Sequence, residues 1–197
     1  MSLVNLTITL PQLSETEQLL RHIPNGAGKA MMRALNRTIV GVRENSVRSV
    51  RDMYTVRGGE FRSLLKINKA TLTRLAALIT VRGHALGDER FQLNPSKRTG
   101  RKVLNGVYVR VRKDSAGGAV KGTFLGVGKF SKATLLFRRL TNDRLPIEHI
   151  HGPSIASMVK MAFYNPGSSI EDDAKARLVR ELSHEIEYQL LKKAGAR

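Results

Sequence analysis

Several short runs in this chain carry residue types capable of chemistry, and their spacing decides what each can do. Gly26-Ala27-Gly28-Lys29 offers the glycines and lysine of a phosphate cradle. A P-loop needs two glycines flanking four residues, then Lys and Ser or Thr, all following a buried strand. Here Ala30 follows Lys29 and the turn signal Pro24-Asn25 precedes Gly26, so the run reads as a loop leading into a helix. Gly126-Val127-Gly128 opens no helix of a βαβ unit and reads as a turn or bulge. Glu148, His149 and His151 could place two imidazoles on one side of a strand for a metal ion. A third ligand would have to come from His22, His84 or His184, and no spacing favours any of them. Two half-exposed loop histidines are therefore expected. His184-Glu185 lacks the second histidine that a zincin helix carries four residues on. Glu171, Asp172 and Asp173 could be a carboxylate pair, but the electrostatics of a helix start already explains them. No serine occupies a nucleophile elbow. The expectation is no catalytic residue, no metal site, no cofactor and no enzyme.

What the chain has in excess is positive charge: 34 Lys+Arg against 16 Asp+Glu, a formal net charge of +18. Residues 97–139 hold 12 of the basic side chains and a single acid, Asp114, whereas residues 140–197 balance. A polyanion partner would reward such a surplus, because each neutralised phosphate releases counterions. A solvated basic surface that keeps the protein soluble, or a positive face meeting an acidic protein ring, would also account for it. The candidate contacts are Arg110, Arg112, Lys113, Arg138 and Arg139 as displayed cations, with Lys97, Arg98, Arg101 and Lys102 on a mobile loop. Arg37, Arg43 and Arg48 on a helix are second choices. Aromatics make up only 5% of the chain, and Tyr108 alone lies among the basic strand residues. Contact with backbone phosphate or acidic protein is expected rather than base stacking.

The elements that must position these cations follow from periodicity. Residues 3–10 (LVNLTITL) read as a short strand stopped by Pro11, and Ser14 with Glu17 forms a capping box for a short helix to about residue 22. From 27 to 54 the pattern is helical, with Ala30, Met31, Ala34, Leu35, Thr38, Ile39 and Val42 on one buried face and Arg33, Arg37, Arg43, Arg48 and Arg51 off it. Residues 60–65 suit a further helical turn or two, and 71–82 and 90–93 read as strands. Residues 106–113 alternate Val107, Val109 and Val111 with Tyr108, Arg110 and Arg112, so the valines bury and the arginines are displayed. Residues 114–122 read as a hairpin loop, 123–127 and 133–140 as strands, and 146–153 as an irregular connection. A short helix follows at 155–163. A long one begins with a Ser168/Glu171 capping box and carries Leu178, Leu182, Ile186 and Leu190 as its apolar stripe.

The resulting class is α+β: a mostly antiparallel basic sheet flanked by a long N-terminal and a C-terminal helix. One domain spanning 1–197 is expected, with a strand-plus-helix part (1–66), a basic β part (71–141) and C-terminal helices (152–194). Cysteine is absent, which removes disulfides, thiolate chemistry and Cys-based zinc. The longest unbroken apolar stretch, residues 75–79, is far short of the ~20 residues of a membrane span. Residues 1–13 lack the regions of a signal peptide, so synthesis in the cytoplasm and no membrane contact are expected.

The order of features resembles the phage minor tail protein Z family, the tail completion proteins of lambda-like phages. The residues carrying the likeness are Ala30-Met31 and Ala34-Leu35-Asn36-Arg37, the basic centre, Arg144-Leu145-Pro146-Ile147-Glu148, and Glu181-Leu182 with Gln189 and Leu190. The layout covers roughly residues 26–193. The resemblance implies a virion protein at the head-proximal end of the tail. Such a protein finishes the tail so that it joins the head and positions the DNA end. It further implies a tail-terminator or neck-protein-like fold, a homo-oligomeric ring (by analogy a hexamer), and tail terminator, tail tube and head completion proteins as partners, with genomic DNA backbone as a further contact. The alternative from residues alone is a cellular, sequence-independent DNA- or RNA-binding protein.

Overall fold

The computed structural model describes residues 2–8 as backbone, together with 17–21, 23, 25–56, 61–83, 85–98, 103, 105–129, 132–165 and 169–195. The expected caps Ser14 and Ser168 lie outside these residues, as do Arg101 and Lys102 of the basic loop.

Helix α1 (Gly26–Met53) opens after Asn25, which takes a left-handed conformation at φ 55°. Every member of its anticipated face, from Ala30 to Val42, is buried. Strand β1 (Ser2–Ile8) and strand β2 (Leu65–Asn68) flank a central β3 (Ala77–Gly83), both antiparallel to it. A one-turn helix α2 (Phe61–Leu64) leads into β2. β3 is shorter than the strand expected over 71–82, because residues 71–74 close a turn in which the Arg74 amide donates to the Thr71 hydroxyl at 3.2 Å. Ala77, Ile79 and Val81 are fully buried from this sheet. They pack with α1 and with α3 (Ile155–Tyr164), whose Ile155, Met158, Val159 and Ala162 are buried as expected.

Helix α4 (Ile170–Lys193) packs along α1 and corrects the anticipated stripe. Leu178 and Leu182 are buried, but Glu185 and Gln189 complete the buried face, while Ile186 is half-buried and Leu190 is 43% exposed. A spacing of four drifts about 40° per step around a 3.6-residue helix, whereas steps of seven and eleven return within about 20°. The straight face through Leu178 therefore runs to Glu185 and Gln189. At the crossing, a Cβ on Gly41 would lie 2.3 Å from the Arg177 guanidinium, so the missing side chain makes room for it.

The antiparallel sheet structure expected between the long N-terminal and C-terminal helices is present, divided into several small sheets. Strands β5 (Gln92–Asn94), β6 (Val107–Arg110) and β7 (Gly118–Val120) form one. Strands β8 (Thr123–Val127), β9 (Thr134–Arg139) and β10 (Ile147–His149) form a second, and β4 (Ala85–Gly87) pairs with β11 (His151–Ser154). The expected 114–122 loop thus contains a strand, and so does the supposedly irregular 146–153 segment. Glycines at positive φ mark the strand boundaries: Gly106 precedes β6, Gly117 precedes β7 and Gly122 separates β7 from β8. Gly106, at φ +81°, has a backbone so close to Val120 that a Cβ would sit 1.9 Å from its carbonyl oxygen. Val107, Val109, Leu125 and Leu136 form a second, smaller apolar core beneath these strands. Its tie to the helices is local: the Thr55 amide donates to the Val111 carbonyl at 3.0 Å and the Lys113 amide to that of Met53 at 2.9 Å.

Candidate functional site

The cations proposed from sequence fall into two groups. In the first, the charge is engaged within the chain. Arg110 is half-buried and turned back on its own hairpin, with Nε donating to the Ser115 carbonyl at 2.8 Å and Nη2 to that of Lys113. The expected display of Arg110 is corrected accordingly: carbonyls left unpaired by the turn draw the guanidinium in. Arg112 grips Asp114 with two bonds, Nε–Oδ1 at 2.9 Å and Nη2–Oδ2 at 2.6 Å, and lies 6.0 Å from the Tyr54 ring centre. That hydrogen bond holds the Asp114 carboxyl below its ordinary range. Arg138 donates to Glu148, its cross-strand neighbour on β10, at 3.0 Å. Arg139 stacks 5.2 Å over Phe124 and donates to the Asp143 carbonyl. Glu44 of α1 is shared by its neighbour Arg43, at 3.1 Å, and by Arg62 of α2, at 2.8 Å.

Arg37 belongs to a buried constellation that the sequence did not reveal. Glu185 is 1% exposed and takes Arg37 Nη2 at 2.9 Å and Arg33 Nη1 at 3.4 Å; Arg37 also reaches Glu181 at 3.5 Å. Arg33 lies 5.7 Å from the Tyr188 ring centre. These arginines join α1 to α4 from the edge of the buried face.

In the second group are Lys97, Arg98, Lys113 and Arg48, all exposed and with no ion pair among the described residues. Lys113 and Arg110 border an open groove of about 470 Å³ with Thr55, Phe91 and Gln92. Four further cations were overlooked: Lys66, Lys69, Arg74 and Arg82, on β2, β3 and the loop between them, are exposed and unpaired among the described residues. The signal was available, since residues 61–87 contain no Asp or Glu.

The other candidates resolve simply. Gly26 begins α1, with no buried strand leading into it among the described residues. Gly126 lies in β8, where a Cβ would come within 2.9 Å of the Phe137 ring. His149 and His151 sit on strands rather than in a loop, with rings 4.2 Å apart, and His149 Nε2 lies 3.1 Å from Glu89 Oε2. Beside them Asp88 is 7% exposed, and burial, then Glu89, raises its carboxyl above the ordinary range against the pull of His151 and His149. Among the described residues no group of three or more His, Asp or Glu is arranged to hold a metal ion. Among the same residues no helix is long and apolar enough to cross a membrane.

These features define an α+β scaffold whose arginines largely brace its own helices and hairpins, with the remaining cations spread outside small antiparallel sheets. The family model for prophage minor tail protein Z (GPZ) matches residues 13–193, and the chain belongs to that family: it is a structural protein of a phage tail, acting among other virion proteins. No curated protein and no solved structure matches it.

Proposed function

We propose that the protein completes the head-proximal end of the tail and supports head–tail joining and positioning of the DNA end, with no catalytic step of its own. The observation that carries this reading is the family match, which runs from residue 13 to residue 193. In this reading the chain, made in the host cytoplasm, works as one unit in a closed homo-oligomer, a hexamer by analogy with the sixfold tail. It meets tail terminator, tail tube and head completion proteins.

Two surface features support the assembly role. The hairpin joining β9 to β10 exposes Leu140 (56%), Leu145 (66%) and Ile147, with Arg139 and Arg144 beside them. Apolar side chains rimmed by cations suit an acidic protein neighbour. The outer strands β8 and β10 leave backbone groups available for pairing across a subunit boundary. The unpaired Lys97, Arg98, Lys113 and Arg48 are the proposed contacts from the original set.

The test is complementation. A lysate of phage unable to make this chain should yield tails that fail to produce infectious particles, and the purified protein should restore them. Normal infectious particles without the protein would overturn the proposal. A Leu140→Asp/Leu145→Asp variant that melts like the parent should lose most of the restoration.

A further inference from the structure

We infer that the outer face of the β1–β3–β2 sheet is a sequence-independent contact surface for the phosphate backbone of duplex DNA. The sheet has two unlike faces. Its inner residues Ala77, Ile79 and Val81 are buried against the helices. Its outer face carries Lys66 and Asn68 of β2 opposite Thr80 and Leu78 of β3, with Arg82 two residues beyond Thr80 on the same side. Lys66, Asn68 and Arg82 are exposed. Lys69 and Arg74 extend the cationic strip along the connecting loop.

Three observations point to phosphate. First, none of the three strands nor the loop contains Asp or Glu, and no ion pair among the described residues reaches Lys66, Lys69, Arg74 or Arg82. The much denser cations of residues 110–139 are to a large extent engaged by carboxylates, carbonyls and rings, so charge density along the chain misidentifies where charge remains available.

Second, the strip is held in place. The Asn36 side chain of α1 clamps the loop through both of its amide atoms: Nδ2 donates to the Ala70 carbonyl at 3.1 Å and Oδ1 accepts from the Ala70 amide at 2.7 Å. Asn68 donates to the Thr80 hydroxyl at 3.1 Å across the face. Lysine and arginine stems therefore rise from a fixed platform. Diagonal neighbours on a sheet stand about 7–8 Å apart, close to the axial spacing of every second phosphate of one strand, about 7 Å.

Third, the outer side of β2 and β3 lacks what a protein partner would need at its centre, and Leu72, 48% exposed, stands off the strands on the loop. Interface hot spots are aromatic or apolar anchors that can be fully desolvated. Here the only apolar outer residue of β2 and β3 is the half-buried Leu78, among Asn, Thr, Lys and Arg. A hydrated contact to backbone phosphate fits these groups.

The inference rests on the proposed function only in placing genomic DNA beside the protein. Its test uses the full chain and labelled duplexes of two unrelated sequences, with affinity measured across a salt series. The wild type should bind both equally, with log K falling linearly in log salt. Lys66→Gln/Arg82→Gln should reduce that slope by about 2, close to 0.9 for each cation lost, and Lys69→Gln/Arg74→Gln should act similarly. Arg112→Gln/Arg138→Gln, which removes cations already paired, should leave it unchanged. All variants should melt as the wild type does. An unchanged slope in the first pair, or an equal loss in the control, overturns the inference. Unchanged DNA binding with lost incorporation into tails would also overturn it, by making the face a protein interface. Normal complementation with an unchanged slope sinks this inference alone, and the expected slopes without complementation sink the proposed function alone.

Discussion

Replacing Arg33 and Arg37 together by methionine would strand the Glu185 carboxylate, which is 1% exposed and has its two closest cations at 2.9 and 3.4 Å. Removing the partners of a fully buried ion costs about 3–5 kcal/mol, whereas an exposed pair contributes only about 0–1. Here the carboxylate is buried but the arginines are 43% and 49% exposed, so an intermediate loss of about 2–3 kcal/mol is expected. The converse change, Glu185→Met, removes the buried charge and lets both guanidiniums return to water, at about 1 kcal/mol or less. The asymmetry is the diagnostic feature. In a chain of this length each kcal/mol lowers the melting temperature by about 2–4 °C, so the arginine variant should melt about 5–10 °C lower and the glutamate variant by no more than about 4 °C. Urea unfolding followed by circular dichroism would give both values. A Glu185→Met variant as destabilised as the double arginine variant would refute the reasoning, because the loss would then come from the ion pair itself and not from stranding a buried charge.

Other outcomes follow from single observations. Protonation of Asp88 is favoured in the fold, so the native state binds that proton more tightly than the unfolded chain does. Its contribution to stability is therefore present at low pH and is lost as pH rises from the ordinary carboxylate value of 3.8 through the raised one. Asp88→Asn should remove this slope and be at least as stable as the wild type at neutral pH, as judged by urea unfolding at several pH values. Gly106→Ala combines strained backbone with a Cβ 1.9 Å from the Val120 carbonyl and should cost about 3 kcal/mol or more, read as loss of folded protein on expression. Asn36→Ala unpairs both backbone groups of the buried Ala70 and should cost about 2 kcal/mol, while Arg138→Gln, at an exposed pair, should change stability by less than about 0.5.

Periodicity made the helices legible. The seven residues from Ala30 to Val42 all bury, as do Ile155, Met158, Val159 and Ala162, because a 3.6-residue repeat needs no knowledge of the partner. The alternation of Val107 and Val109 with Tyr108 and Arg110 was equally readable. What periodicity cannot supply is the partner of a charge. Arg37 and Glu185 lie 148 residues apart, and no local pattern links them. Strands β10 and β11 escaped notice because they are three and four residues long and lie beside Pro146 and around Pro153. Pro153 lacks a ladder donor and falls where the β11 register shifts. A basic sheet face with an apolar reverse does not coincide with the stretch where cations are densest, residues 97–139. The unpaired cations of β2 and β3 stand where acids are absent instead.

The central claim is that this chain sits where tail meets head. The most direct measurement is electron microscopy of intact particles carrying a gold-binding tag on this protein. Label confined to the head–tail junction is the expected result, and label along the tube or at the distal tip would contradict the account.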